Sequence, residues 1–529
     1  MPAPTAMKPP THHLFSGRNL PWLVDMQARE RGDQVYLIWE PFDDTPRSWT
    51  YAQFAEETRT VASGLMAAGV TAGDYVLLHL ENCPEFLFVW HACARIGAIV
   101  VTTNTNSTAD ELGYFASHCG AAVAITQPKL AGLVAGLNHP FRWIAAIERD
   151  PVEEVAPPES SEKIIPFASL RGDPSIAPSG PDDALTPGSI QFTSGTTSRP
   201  KGVVWTQANA LWAARTQAAI LDLNADDCGI ALFPLFHTNA LAYTMLATLW
   251  AGGRAVLTPR FSTSRFWDIA TRHKCTWASM TGFPINALMQ IEDPPEHDFR
   301  KWAFGIGDLG AVRKRWGIRV SGWFGMTETV SACITTEQEF PGTEMAMGRP
   351  RPEYQVSIRR PDGTEADVGE SGQLFIRGIP GISLFLEYLH APEATEAAFD
   401  KDGWFDTGDE VVARAGGELF YVGRVKDMLK VGGENVAAIE IESVIAQVPG
   451  VRECAVVGKP DRMRDEVPVA FIVSASPGPE LERAILMVCE QKLSRFKRPQ
   501  EIRFIDALPT GGPLAKILKK DLREMASSK

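Results

Sequence analysis

The sequence predicts an α/β fold: a large N-terminal domain of mostly parallel βα sheets with a β-rich subdomain, then a small α/β C-terminal domain. Three observations predict it. Apolar segments of strand length alternate with helical stretches through the first half of the chain, the mark of βαβ units. Glycine turns at Pro361-Asp362-Gly363 and Ala415-Gly416-Gly417 punctuate a β-rich section between 350 and 423. Finally, 529 residues are too many for one core, and after Gly423 the alternation restarts over about 100 residues, an ordinary domain size.

Residues 1–20 read as a loose arm. From Trp22 to Gly69 helices alternate with short strands, and Tyr51–Ala68 is an amphipathic helix with Phe54, Val61, Leu65 and Met66 at compatible spacing. Asp74–His79 reads as a buried strand, Pro84–Ile96 as a helix and Ala98–Thr102 as the next strand. The Pro/Ser/Glu-rich stretch Pro151–Ser161 is a loop. A helix at Gln207–Leu221 and a strand at Gly229–Phe233 resume the pattern. Toward the C-terminus, Ile439–Gln447 and Glu480–Leu493 read as helices, and Glu453–Val457 and Val469–Val473 as strands.

Composition narrows the function classes. A net charge of −13 argues against general nucleic-acid binding, which needs a basic footprint. The acidity is uneven: Arg424–Lys529 holds 18 Lys and Arg against 15 Asp and Glu, a net +3, which leaves −16 for the rest. A slightly basic small part could close over phosphates on a larger acidic part. The 8 cysteines form no C-x-x-C pair and no zinc-ligand spacing, which implies free thiols in a reducing, cytoplasmic setting. No apolar run is long enough to span a bilayer, and the N-terminus has no apolar signal core.

The most informative stretch is Thr193, Ser194, Gly195, Thr196, Thr197, Ser198, Arg199, Pro200, Lys201, Gly202 and Val203, entered from a strand-like Ile190-Gln191-Phe192. Hydroxyls, a glycine and a lysine this close together can offer backbone N–H groups and one cation to a polyphosphate. It is not a Walker A loop, which needs a helix starting at its lysine; Pro200 disfavours helix at Arg199. The string resembles the phosphate loop of the adenylate-forming enzymes, the superfamily of acyl-CoA synthetases and peptide-synthetase adenylation domains.

Further motifs follow in that family's order. Gly322 to Thr329, containing Trp323, Phe324, Gly325, Met326, Thr327 and Glu328, resembles its Y-G-x-T-E motif, with Phe324 where tyrosine is common. The resemblance implies that Glu328 and Thr196 hold Mg²⁺, that Thr327 contacts the AMP phosphate, and that Phe324 stacks on adenine. Asp406-Thr407-Gly408-Asp409 resembles the T-G-D motif; Asp409 would accept from the ribose hydroxyls and Arg424 would reach the same region. Gly307 and Asp308 align roughly with an adenine-pocket loop. Pro509 to Ile517 resembles the C-terminal lysine loop, with Ala515 replacing the usual glycine and Thr510 six residues before Lys516 rather than four. Lys516 would then be the catalytic lysine of adenylation, while Lys519 and Lys520 read as a solvated helix face. Gly423 to Asp427 resembles the hinge, with Lys426 at the hinge position, and Lys430, Gly432 and Gly433 resemble the loop that meets the pantetheine of CoA. These assignments divide the chain into an adenylation domain 1–423, a hinge 424–427 and a mobile domain 428–529.

Phe233 to Asn239 resembles the family's P-L-F-H segment, which implies that His237 lines the carboxylate end of an acyl pocket whose other walls are Met280, Thr281, Phe283, Trp323 and Gly325. Acetate-specific members carry tryptophan at the position of Gly325, so glycine implies a larger acid. Within the family the chain resembles crotonobetaine/carnitine–CoA ligases, through its phosphate loop, Gly378-Ile379-Pro380-Gly381 and Gly432-Gly433-Glu434-Asn435-Val436. Aromatic walls suit a quaternary ammonium and equally an aryl or branched acid. The expected partners are a small carboxylic acid, ATP and CoA, with no nucleic acid and no membrane span; a homodimer is compatible with the sequence. The alternatives are an enzyme that loads a carrier-protein phosphopantetheine and a non-catalytic nucleotide sensor; the joint presence of Lys201, Glu328, Asp409, Arg424 and Lys516 argues against the sensor.

Overall fold

Strands buried on both faces need continuous apolar runs and helices on either side, and the first half of this chain supplies both. The structure, a computed structural model, describes residues 12–527 except 44, 162, 194–199, 293–295, 306–308, 337–342, 425–427, 432–433, 462–464, 494 and 512–515. Among them two compact units form: Met1–Gln355 with Ile376–Phe405, and Val356–Phe375 with Asp406–Lys529.

The first unit holds two large sheets. In one, Pro187–Thr193, Ile99–Thr102, Tyr75–His79, Val123–Thr126, Ile144–Ala146 and Ile164–Pro166 run parallel as neighbours. Lys201–Thr206 and Glu387–Tyr388 extend this sheet antiparallel beyond Pro187–Thr193. In the other, Arg319–Phe324, Lys301–Phe304, Trp277–Met280, Cys228–Ala231, Arg254–Leu257 and Val35–Trp39 are parallel. The expected βα alternation is therefore present, and its helices have local causes. Tyr51–Ala67 begins at a reciprocal cap between Thr50 and Gln53, and its Phe54, Val61 and Leu65 are fully buried; Met66, counted with them from spacing, is exposed. Pro84 opens the helix Pro84–Ile96, and Gly97 closes it in the left-handed conformation (φ 80°).

One cap also shapes the functional region. Thr206 begins the helix Gln207–Ile220 through a reciprocal bond with Asn209, and its hydroxyl donates to the carbonyl of Gly381 at 2.6 Å. Asn209 Nδ2 donates to the carbonyls of Ile382 and Leu384, both at 2.8 Å. These bonds fasten the segment that leads into Glu387–Tyr388.

The second unit contains the β-rich strands, read from sequence as the end of the large domain, together with the C-terminal chain. Phe405–Ala413 and Leu419–Arg424 pair antiparallel through a turn at Gly417 (φ 80°). The C-terminal sheet is built on the long hairpin of Val451–Asp461 and Asp465–Ser474. Val456, Ala470 and Ile472 face one apolar cluster, with the helices Ala438–Ile445 and Pro479–Lys492, while Ala455, Val457, Val469 and Phe471 face another, with Leu522 of Lys519–Ser527. Lys519 is not on a solvated face: its ammonium lies 2.7 Å from Glu442, and both side chains are 18% exposed. Lys520 is exposed. All 8 cysteines are free thiols, and among the described residues no helix is long and apolar enough to cross a membrane.

Two histidines sit in the core of the first unit. His91 is 2% exposed, with no hydrogen-bond partner at either ring nitrogen among the described residues, and burial holds it down to about 3. His79 is fully buried, bonded through Nδ1 to Thr103, and held down to about 4 by burial. The unfolded chain takes up these protons below pH 6.5, while the folded chain stays neutral until pH 4 or lower. Stability is therefore full above pH 6.5 and is lost as pH falls, by about 2 kcal/mol per histidine at pH 5. His91→Phe, which keeps the packing against Phe54, should flatten the fall in thermal midpoint between pH 7 and pH 5. An equal fall in both proteins would assign the acid sensitivity elsewhere.

Candidate active site

Ligand sites of parallel sheets form at the carboxyl ends of the strands, and there the predicted residues of the first unit meet. Pro187–Thr193 turns back into Lys201–Thr206, with Thr193 opposite Lys201. Lys201 thus begins a strand, as Pro200 allows. Ser194, Gly195, Thr196 and Thr197 lie outside the described residues, as do Gly307 and Asp308. The hydroxyl of Tyr114 donates to the carbonyl of Pro200 at 3.2 Å, just ahead of Lys201.

Arg319–Phe324 delivers the second motif. After it, Thr327–Thr329 makes a single tight helical turn, fastened from several sides. Thr329 Oγ1 accepts from Met326 N at 2.9 Å, Trp205 Nε1 donates to the carbonyl of Thr327 at 2.9 Å, and Tyr354 donates to that of Thr329 at 2.8 Å. Val330 follows at φ 65°, a costly conformation for a β-branched residue. Glu328 is 5% exposed. Its backbone carbonyl accepts from Phe385 N at 2.9 Å, and its Oε1 accepts from the hydroxyl of Tyr388 at 3.1 Å. The ammonium of Lys201 stands 4.6 Å from the centre of the same Tyr388 ring. One phenol therefore touches both Lys201 and the buried carboxylate.

The third segment joins through Thr238, whose hydroxyl donates to Gln191 Oε1 at 2.8 Å and lies 3.5 Å from Thr327 Oγ1. His237 precedes it, half-buried, with its ring against Phe236. Asn82 anchors the approach: it accepts from Leu235 N at 2.7 Å and donates to the carbonyls of Phe233 and Thr258. After Thr238 the chain forms a wide helical turn, Asn239–Leu246. Thr244 Oγ1 bonds the carbonyl of Asn239 five residues back, at 3.2 Å, which suits that wider turn.

The expected acyl-pocket walls behave differently. Trp323 and Phe324 are buried. Met280 is fully buried in the apolar cluster with Ile230 and Trp302, so its side chain packs in the core and not along a pocket. Phe283 is 67% exposed, which fits a rim rather than a wall. Gly325 does not open space. A Cβ there would stand 2.8 Å from the Tyr243 hydroxyl, 3.0 Å from the Ser331 carbonyl oxygen and 3.1 Å from Ala332 Cα. Its missing side chain admits Tyr243 and the neighbouring backbone.

In the second unit, Asp409 is 1% exposed. Its Oδ1 accepts from Tyr421 at 3.0 Å and from Arg424 Nε at 2.8 Å. Arg424 also donates to the carbonyl of Thr407 at 2.8 Å. The two residues are opposite each other in the hairpin, so a buried carboxylate pairs with a guanidinium that is 33% exposed. Lys516 lies in a two-stranded ladder opposite Gly511, and Thr510 opposite Ile517, which explains the longer Thr510-to-Lys516 spacing as a hairpin. Lys430 lies in Met428–Val431, opposite Asn435. Lys426, Gly432 and Gly433 lie outside the described residues.

Known proteins can now be set beside this geometry. Residues 24–389 match the profile of the AMP-binding enzyme family, and residues 440–512 match that of the AMP-binding enzyme C-terminal domain. The chain belongs to the AMP-binding enzyme family. Crotonobetaine/carnitine–CoA ligases of Citrobacter koseri and Proteus mirabilis are each 32% identical to it over 526 residues, covering 96% of this chain and 100% of theirs. Among solved structures, the anthranilate CoA ligase AuaEII in complex with anthranoyl-AMP has a TM-score of 0.85 at 25% identity, covering 97% of this chain and 98% of that one. The o-succinylbenzoate CoA synthetase MenE of Bacillus subtilis, in complex with ATP and magnesium, has a TM-score of 0.79 at 26% identity, covering 95% and 99%. This AMP-binding enzyme is accordingly an acid–thiol ligase of the acyl-CoA synthetase class.

In this AMP-binding enzyme, local sequence does not reveal Tyr388, Tyr243, Thr238 or Asn82, because each acts through residues distant in the chain. Gly325 supplies a direct test of that packing. Gly325→Ala should lower stability by about 1–3 kcal/mol, since two of the three close atoms belong to backbone. Calorimetry should show part of the loss recovered in Gly325→Ala/Tyr243→Phe. An unshifted midpoint for Gly325→Ala would mean that the position has room.

Proposed function

We propose that this protein is an ATP-dependent carboxylate–CoA ligase, forming an acyl-CoA thioester through an acyl-adenylate with AMP and pyrophosphate as products. The observation that supports this most is the meeting of Lys201 and buried Glu328 at Tyr388, with Thr327 next to Glu328 in the chain and 3.5 Å from Thr238. In the first step the acid's carboxylate oxygen attacks the α-phosphorus and the bond to pyrophosphate breaks. In the second the CoA sulfur attacks the acyl carbon, AMP leaves with the bonding pair, and the thiol proton is lost.

The donor set fits a magnesium that arrives on the nucleotide. Among the described residues no three His, Cys, Asp or Glu side chains gather as a metal cage, whereas one buried carboxylate beside a phosphate loop suits Mg²⁺, which takes few protein ligands and several phosphate oxygens. Glu328 and Thr196 would hold it, and when bound it would neutralise phosphate charge. Lys201 adds a cation from the loop. Asp409, with Arg424 beside it, would hold the ribose hydroxyls. Lys516 would bridge the carboxylate and the α-phosphate as charge builds. Residues 424–427 would serve as the hinge between half-reactions, and Lys430, Gly432 and Gly433 would receive pantetheine. The acid is larger than acetate, in the carnitine-like, branched, medium-chain or aryl range. The relatives named for carnitine, anthranilate and o-succinylbenzoate support that size.

Acid-dependent pyrophosphate release, measured with and without CoA, tests the reading directly. Release with no thioester formed on free CoA would favour a carrier protein as acceptor. Lys516→Ala should slow acyl-adenylate formation by roughly 100-fold or more and largely spare thioester formation from supplied acyl-AMP; an equal loss in both half-reactions would remove Lys516 from the adenylation step.

Tyr388→Phe retains the ring beside Lys201 and removes only the donor to Glu328. Pyrophosphate exchange should then require several-fold more Mg²⁺ and slow by about tenfold, whereas Tyr388→Leu should fall further. A magnesium titration that is superimposable on wild type would show that Glu328 is oriented without this bond.

A further inference from the structure

The wide turn Asn239–Leu246 encloses polar atoms that the fold leaves unanswered. Tyr243 is 6% exposed, and its hydroxyl meets no hydrogen-bond partner among the described residues. Four positions earlier, Oδ1 of Asn239 is also enclosed without a partner among the described residues. In a helix wider than an α-helix, residues four apart lie within one turn. Phenylalanine would fill the tyrosine's space without burying an unpaired hydroxyl, and burying one is costly. Native structures pair nearly all such groups, so the exceptions call for a partner.

The place of these atoms indicates that partner. The Tyr243 hydroxyl stands 2.8 Å from where a side chain at Gly325 would begin, and the Tyr243 ring meets Trp323 edge-on at 5.2 Å. Gly325 and Trp323 lie just before Glu328, and Asn239 lies two residues after His237. Thr238, between them, is 3.5 Å from Thr327. The unanswered atoms therefore flank the segments that would hold the acid's carboxylate.

We propose that Tyr243, together with Asn239, recognises a hydroxyl or uncharged amino substituent on the carboxylic acid substrate. The proposal rests on the adenylation reading above and deepens it. A phenol can donate and accept, and an amide oxygen accepts, so a group that can do both answers the pair. Trp323 offers an apolar face to the body of the acid. An acid without the substituent would leave the polar atoms enclosed and unpaired, which is how a site comes to reject an analogue that lacks a hydroxyl.

The test compares acids that differ by one group: carnitine with its 3-deoxy analogue, 3-hydroxybutyrate with butyrate, and anthranilate with benzoate. Pyrophosphate release is followed for wild type, Tyr243→Phe and Asn239→Leu. Wild type should favour the substituted acid of at least one pair by about tenfold or more in kcat/KM. Tyr243→Phe should bring that ratio close to one while its thermal midpoint does not fall, since no protein hydrogen bond is lost; Asn239→Leu should shrink the ratio in the same pair. Acids used without selectivity by wild type, or with an unchanged ratio in both variants, would overturn the Tyr243 assignment and leave adenylation standing. Release with none of these acids, nor with a panel of branched, medium-chain and further aryl acids, would overturn the adenylation reading and this assignment together.

Discussion

The site depends on keeping two opposite charges close without letting them neutralise each other. Lys201 and Glu328 both approach Tyr388, one at the ring and one at the hydroxyl. A direct ion pair between them would be favourable in a partly desolvated site, and it would leave neither charge available to a triphosphate and its metal. A phenol can hold a cation at its face and a carboxylate at its hydroxyl at the same time. The strand carrying Tyr388 is held in turn by the Thr206 cap and Asn209. A helix N-terminus on the sheet thus governs the spacing of the two charges, though none of the three participants is near another in sequence.

Asp409 and Arg424 show the opposite arrangement. They pair directly across a hairpin, with Tyr421 as a second donor to the buried carboxylate. A buried carboxylate with such partners is well oriented, which is what hydrogen bonds to a vicinal diol would need. A diol is neutral, so a neutralised acceptor loses little against it; a polyphosphate is highly charged, so its binding groups must remain free. The two charge arrangements would suit the two kinds of ligand proposed for them.

The βα alternation, the strand leading into Thr193 and the non-helical approach to Lys201 were legible in the sequence because each depends on local pattern: apolar runs and a proline before a lysine. The pocket walls were less legible. Met280 alternates with Ser279 on a strand, and the face it takes depends on sheet packing. Phe283 sits at the start of a helix, where hydrophobicity alone cannot distinguish a rim from a wall. Gly325 reads as empty space in one dimension, yet Tyr243, from a separate helix, stands 2.8 Å from its would-be Cβ. The spacing of Thr510 and Lys516 looked irregular until a two-stranded ladder accounted for it.

Departures from regular structure concentrate at this same place. The wide turn Asn239–Leu246 and Val330 at positive φ both adjoin Gly325, one through Tyr243 and the other through the Ser331 carbonyl. Each would be unfavourable alone. Together they are mutually required. Widening the helix carries the Tyr243 ring over the motif, the positive φ at Val330 turns the following backbone toward Gly325, and only a residue without a side chain can lie between them. Local preference is overruled here by a close approach of three segments. Such conflicts between local and tertiary demands are expected where geometry is selected for a ligand rather than for stability.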